Sequence, residues 1–231
     1  DEDIYIFVST EENQRDYKGA FKKCNIILGP LGIVNIDNFI VDYFPENEKY
    51  IYLNDDIKNL YYAENKKDLI RINDFNPLID MTFTMMEKDG ISYAGLNPVD
   101  NPYFMRNQTE YKYSLSIITD PFSFVINNKN IRLTKFYIDE KYNDNSFSDY
   151  EKSILHFKDK GKILRLNWYS VDVLYFNGAK TSNRTKENCW TTANMMIKKY
   201  PNFISSIKNN KNGFFSLRFK RLYPMTHSLL I

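Results

Sequence analysis

Apolar residues in the first sixty positions come in short blocks separated by stretches of a different period. Residues 4–8, Ile-Tyr-Ile-Phe-Val, are a β-branched and aromatic block that predicts a strand. Ser9 and Thr10 close it, and Thr10 can cap a helix whose first turn carries Glu11 and Glu12, acids suited to the positive helix end. Residues 24–28 predict a second strand, punctuated by Gly29-Pro30-Leu31-Gly32; beyond it Ile36, Phe39, Ile40 and Tyr43 recur at helical spacing. Residues 50–53 predict a third strand, so the order β-α-β-α-β implies a parallel, doubly wound α/β sheet with right-handed crossovers.

After residue 57 the pattern loosens. Leu69, Ile72, Phe75, Leu78, Ile79, Phe83 and Met86 predict a helix ending at Asp89-Gly90, followed by a strand over 91–95 and a proline-containing loop over 96–102. Residues 116–118, 122–126 and 131–137 are strand-like, and Asn127-Asn128-Lys129-Asn130 reads as a hairpin turn between the last two, so this part of the sheet is expected to be mixed or antiparallel. Residues 142–147 read as loop. Ser148-Asp149-Tyr150-Glu151 has the capping-box pattern, opening a helix with apolar face Tyr150, Ile154 and Phe157 that ends near Gly161. Strand character over 163–176, a polar loop over 177–186, a helix with Trp190, Ala193, Asn194 and Ile197 on one face, and a strand over 215–220 complete the chain. No repeat, low-complexity tract or linker divides it, so one domain is expected over 1–231.

The third strand ends in charge: Tyr50-Ile51-Tyr52-Leu53 runs straight into Asn54-Asp55-Asp56. The carboxyl end of a strand is where open α/β sheets hold ligands, and hard oxygen donors there suit a divalent cation and the phosphates it carries. A β-turn with an Asn-Asp-Asp tip accounts for the same residues equally well.

Composition narrows the classes. With 231 residues, 43% of them hydrophobic, the chain can bury a substantial core. Its 31 basic and 29 acidic residues leave a net charge of +2, so it lacks the global basic field of a non-specific nucleic-acid binder. The two cysteines, Cys24 and Cys189, and two histidines make no metal-binding spacing and fit a reduced compartment. No apolar run approaches the ~18 residues of a membrane span and no secretory leader is visible, so an intracellular protein without a membrane partner is expected.

The run from Ile4 to Ile57, with Gly29-Pro30-Leu31-Gly32-Ile33 and Tyr-Ile-Tyr-Leu-Asn-Asp-Asp-Ile, resembles the nucleotide-sugar half of GT-A-fold glycosyltransferases, in particular the TET/JBP-associated group of phages and large DNA viruses. Residues 90–95, 97–101, 149–151 and 161–165, and residues 175–178 followed by Arg184, extend the resemblance over most of the chain. It implies a GT-A-like open sheet with parallel N-terminal β-α units and a mixed or antiparallel C-terminal half. A nucleotide-sugar half over about 1–60 would precede an acceptor half over about 61–231. It also implies transfer of a sugar from a nucleotide donor, a UDP-sugar, to a hydroxyl, with Mn²⁺ or Mg²⁺ held by Asp56 and its neighbour Asp55. The implied acceptor is a hydroxymethylated pyrimidine in viral DNA; a protein or glycan acceptor, or an inactive module that binds nucleic acid or protein, are the alternatives. The family's acidic motif usually begins with Asp where this chain has Asn54, and its earlier Pro-Ser-x-Asn-Arg-like strand precedes the point where this sequence starts, so a lacking or truncated first strand, or a base pocket built differently, is expected.

Roles for single residues follow. Asp149, after a loop and at a helix start, is the candidate catalytic base, although the helix dipole alone also favours an acid there. Asn54, Asp55, Asp56, Gly95, Arg165 and Arg184 are the candidate donor-binding residues: the arginines match phosphate bidentately, and Gly95 lets backbone approach the sugar or simply makes a turn. His156, seven residues beyond Asp149, is a structural histidine or shares its face. Lys208, Lys211, Arg218, Lys220 and Arg221 are the densest basic cluster, suited to phosphates or to a charged solvent face.

Overall fold

The computed structural model describes residues 3–137, 143–144, 146–174, 185–210 and 215–222. The chain is α/β, and its main sheet is mixed and curled. The N-terminal expectation holds locally. Strand β1 (Tyr5–Val8), helix α1 (Glu11–Ala20) and strand β2 (Asn25–Leu28) form a parallel β-α-β unit, with the Thr10 side chain accepting from the Asn13 amide as helix cap. Helix α2 (Ile33–Tyr43) follows, entered through Gly32 at φ 95°, a left-handed conformation that favours glycine.

The third strand departs from the predicted series. Strand β3 (Lys49–Leu53) does not extend the β1–β2 pair; it pairs antiparallel with β8 (Phe122–Ile126) at the edge of a seven-stranded sheet. The reason lies in β8: Phe122 to Val125 are all buried, so that strand requires partners on both edges and cover on both faces. Strand β3 supplies one edge, with Tyr50 and Tyr52 on one face and Ile51 on the other, and β6 (Tyr93–Asn97) supplies the other edge.

Strands β4 (Ile57–Ala63) and β5 (Leu69–Ile72) form a hairpin where a loose segment and a helix start were expected. Asn65 makes the turn, its side-chain oxygen accepting from the Lys67 and Asp68 amides. Leu69 and Ile72 thus belong to a strand, and helix α3 (Asn76–Asp89) begins only after the Asp74 carboxylate caps the Asn76 amide; it ends at Gly90, φ 63°. Helix α4 (Pro102–Arg106), capped by Asn101, and the short strand β7 (Tyr111–Lys112) follow β6.

The hairpin expected at 127–130 does not form, nor do strands at 116–118 or 131–135. Asn127 is taken up elsewhere: its amide nitrogen donates to the carbonyls of Val41, Phe44 and Pro45, holding the end of α2. Two-residue strands β9 (Phe136–Tyr137) and β10 (Asn143–Asp144) pair with each other. Helix α5 (Ser148–Lys160), strand β11 (Leu164–Val173), helix α6 (Lys186–Lys199) and the antiparallel hairpin of β12 (Ile204–Asn209) and β13 (Phe215–Phe219) complete the chain; β12 was not anticipated.

The main sheet runs β3-β8-β6-β11-β4-β5, with β7 also on β11, and its single parallel pair is β6–β11. Four strand spacings, about 19 Å if flat, separate β3 from β4. Yet Leu53 and Ile57 are joined by residues 54–56, a reach of about 14 Å at full extension. The sheet therefore curls, and the Asp56 carbonyl accepts from the Leu174 amide, continuing the β4–β11 pairing one residue past Ile57 and Val173. Strands from both sides of residue 60 share this sheet. One face packs under α5, α6 and the β12–β13 hairpin around Tyr93, Ile154, Phe157 and Ile163; the other packs on α3 around Met86, Leu96 and Phe124. No helix among the described residues is long and apolar enough to cross a membrane.

Candidate functional site

The carboxyl ends of β3 and β6 and the start of β8 lie at one end of the sheet, because Leu53 pairs with Phe122 and Gly95 with Ser123. The predicted acidic turn is there. The Asn54 amide donates to the Pro121 carbonyl at 3.1 Å, setting residues 54–56 against Asp120-Pro121. From the opposite side comes the start of α5, where Ser148 Oγ donates to Asp120 Oδ2 at 3.2 Å. The structure thus gathers the Asn54-Asp55-Asp56 turn and Asp149 around one short segment, although they are nearly a hundred residues apart in sequence.

Within this group Asp55 is exposed, whereas Asp56 is half-buried and its Oδ1 has no hydrogen-bond partner among the described residues. Asp149 is also half-buried, and its Oδ1 accepts from the Tyr150 amide at 2.8 Å, which satisfies one of the free amides of the first helical turn. The capping box itself is absent. Ser148 is already helical and turns to Asp120, and Glu151 is fully buried, accepting from the Thr134 amide, Lys199 Nζ at 3.0 Å and Tyr200 OH at 2.6 Å.

Sequence reasoning missed the charged centre beside these residues. Lys152, one turn after Asp149, lies 2.9 Å from Asp120 Oδ1 and 3.1 Å from Asp37 Oδ2, and its ammonium sits over the Tyr52 ring at 4.5 Å. Burial works against the Lys152 charge, but Asp120 and Asp37 hold its pKa above the ordinary lysine value. Burial raises the Asp37 carboxyl, opposed by Lys152. Together with Tyr50, Tyr52, Tyr93, Ser123 and His156 they line a cavity of about 40 Å³. A signal existed: Asp37 occupies the buried stripe of α2 between Val34 and Ile40, where an unpaired carboxylate is too costly to leave unanswered.

His156 is structural. Its ring stacks on Tyr93 at 4.5 Å, Nδ1 is 2.8 Å from Ser92 Oγ, and burial, with Lys152 and Lys160 adding, pushes its pKa down to about 3, so it is neutral. Gly95 serves packing: a Cβ there would fall 2.2 Å from Cγ2 of the fully buried Ile118, which covers the sheet at that point. This contact accounts for the glycine without an approaching sugar.

Arg165 lies in the same row. Tyr52, Ser123, Gly95, Arg165 and Lys112 are in register across five strands and share a face, which places Arg165 about 14 Å from Tyr52, three strand spacings away. Its Nε donates to Asn167 Oδ1 at 2.7 Å and Nη2 to Gln108 Oε1 at 2.9 Å. Arg184, residues 175–178 and Lys211 lie outside the described residues. Lys208, Arg218 and Lys220 are exposed on the outward face of the β12–β13 hairpin, and Arg221 is exposed just beyond it.

Among the described residues no group of three or more His, Cys, Asp or Glu side chains is arranged to hold a metal. No match to a protein family, to a curated protein or to a solved structure is found for the chain.

Proposed function

We propose that the protein is a metal-dependent glycosyltransferase that moves a sugar from a nucleoside-diphosphate donor, a UDP-sugar, to an acceptor hydroxyl. The observation that carries this reading is Asp56 Oδ1, a buried carboxylate oxygen with no donor among the described residues, at the tip of the β3–β4 connection. Such an oxygen is costly unless a cation or a ligand donor meets it. Mg²⁺ or Mn²⁺ suits it, because these ions are commonly held by one or two carboxylates, water and the substrate's own phosphates rather than by a full protein cage. Asp56, with Asp55 beside it, would hold the ion, which when bound offsets the charge of the leaving diphosphate.

Asp149 then takes the proton of the acceptor hydroxyl. It is half-buried at the start of α5, next to Tyr150, whose pKa is raised first by burial and then by the Asp149 charge. A hydroxymethylated pyrimidine of viral DNA is the acceptor this reading favours, with Lys208, Arg218 and Lys220 on the outward hairpin face available to its phosphates. The second reading, an inactive module that binds nucleic acid or protein, draws support from Asn54 in the leading acid position and from the lack of a three-group metal cluster among the described residues.

The test combines donor binding with turnover. Asp56→Asn is expected to abolish Mn²⁺-dependent UDP-sugar binding in calorimetry. Asp149→Asn is expected to leave that binding intact and to lower transfer ~10²–10⁴-fold, the usual contribution of a general base. Undiminished turnover in Asp56→Asn refutes the metal role; equal loss of binding and transfer in Asp149→Asn makes Asp149 a helix cap.

A further inference from the structure

Away from the acidic turn, strands β7 and β11 place two cations directly opposite each other: Arg165 pairs in register with Lys112, on the same face. Like charges opposite one another destabilise a sheet. Both are also withdrawn from water. Burial lowers the Arg165 pKa to about 10, and burial followed by the charge of Arg165 lowers that of Lys112. No ion pair to either is found among the described residues, and the neighbouring carboxylate, Glu110, is engaged by the Tyr111 hydroxyl at 2.9 Å.

The arginine is nevertheless firmly held. Asn167, fully buried, accepts from its Nε and is fixed in turn by donating to the Thr109 carbonyl, while the Asn97 side chain donates to the Asn167 carbonyl. Gln108 accepts from Arg165 through its side chain and from Trp168 Nε1 through its backbone. The Arg106 guanidinium lies 3.5 Å over the Trp168 ring, and its buried Nη1 has no partner among the described residues. Among the described residues, two of the five N–H groups of Arg165 are thus used for orientation and three remain. Amide oxygens aim this guanidinium without neutralising it, which is how a residue is prepared for an anion.

We propose that Arg165 and Lys112, flanked by Arg106 on Trp168, form an anion site for the diphosphate of a small phosphorylated ligand. The inference goes beyond the transferase reading, which assigns its donor diphosphate to Asp56; the anion site stands on the cross-strand cation pair alone. Its probe is inorganic pyrophosphate in the presence of EDTA, with the thermal unfolding midpoint as readout, since a ligand that binds the native state raises it. The parent protein is expected to gain several degrees at millimolar pyrophosphate, and none from chloride at equal ionic strength. Lys112→Met is expected to lose that gain while its ligand-free midpoint stays level or rises, because a like-charge contact has been removed. A merely structural lysine gives the opposite, a lower ligand-free midpoint with the pyrophosphate gain retained, and that outcome overturns the proposal. Arg165→Lys, which keeps the charge but not the fork, is expected to weaken the gain at least tenfold in pyrophosphate concentration. Asp56→Asn should keep the full gain in EDTA; its loss there would place the anion at the acidic turn and overturn the Arg165 site. Absence of sugar transfer with the pyrophosphate gain intact removes the transferase reading and leaves the anion site standing.

Discussion

At the scale of single residues, burial decides which chemistry-bearing side chains are available. His156 looks suggestive in sequence, seven residues beyond Asp149, but burial against Tyr93 keeps it neutral. Its folded pKa of about 3 lies below the ordinary value of 6.5, so between these values the unfolded chain binds the extra proton. Stability is therefore full above pH 6.5 and is lost as pH falls towards 3, with a slope of up to ~1.4 kcal/mol per pH unit from this group. Asp37 acts in the opposite sense. Its raised folded pKa makes the native state the better proton binder just above 3.8, so its contribution declines as pH rises through that window. In urea titrations between pH 7 and pH 4, His156→Gln is expected to start less stable than the parent and to show a flatter pH dependence. An unchanged slope would mean that His156 takes up its proton equally in the folded and unfolded chain.

At the scale of elements, α5 is the part that builds the site. Its buried face combines Ile154 and Phe157 with Ser148, Glu151, Ser153 and His156, a polar content that no solvent-facing pattern would require. Glu151 ties the helix to Lys199 and Tyr200 on one side, and Lys152 ties it to Asp37 and Asp120 on the other. Removing one member of a buried ionic group strands its partners at a cost of about 3–5 kcal/mol. Lys152→Met should lose that much in chemical denaturation, and Asp37→Asn added to it should recover part of the loss. If the double variant is less stable than the single one by the full Asp37→Asn cost, Asp37 and Lys152 act independently.

At the scale of the molecule, stability is unevenly shared. Helix α1 buries no residue and β1 and β2 are four-residue strands in a sheet of their own, whereas every residue of β6 is buried. Regions with few buried contacts open first. Backbone amides of the β1-α1-β2 unit are therefore expected to exchange with solvent well before those of β6, β11 and α5; uniform protection would show that the unit unfolds only with the main sheet. The curl of that sheet also matters for the site, since it lets residues 54–56 run directly from the edge strand β3 to β4, four strands along.

The sequence by itself determined the local elements wherever short-range physics suffices. Thr10 capping α1, Gly90 and Gly161 ending α3 and α5 in left-handed conformations, and the β-branched blocks of β1, β2 and β3 are read from neighbouring residues. It also located an acidic strand end and an acid at the start of a helix. Strand pairing lay beyond it, because hydrophobic periodicity specifies which face is buried but not which strand lies alongside; β8, apolar on both faces, drew β3 away from the predicted parallel series. Asn127 reads as a turn residue until Val41, Phe44 and Pro45 at the end of α2 offer it their carbonyls, and Gly95 as a ligand approach or a turn until Ile118 is laid over it. Only the tertiary structure opposed Lys112 to Arg165 and enclosed Lys152 between Asp37 and Asp120. Close ion pairing and cross-strand contacts between residues this far apart along the chain exist only once the sheet has closed.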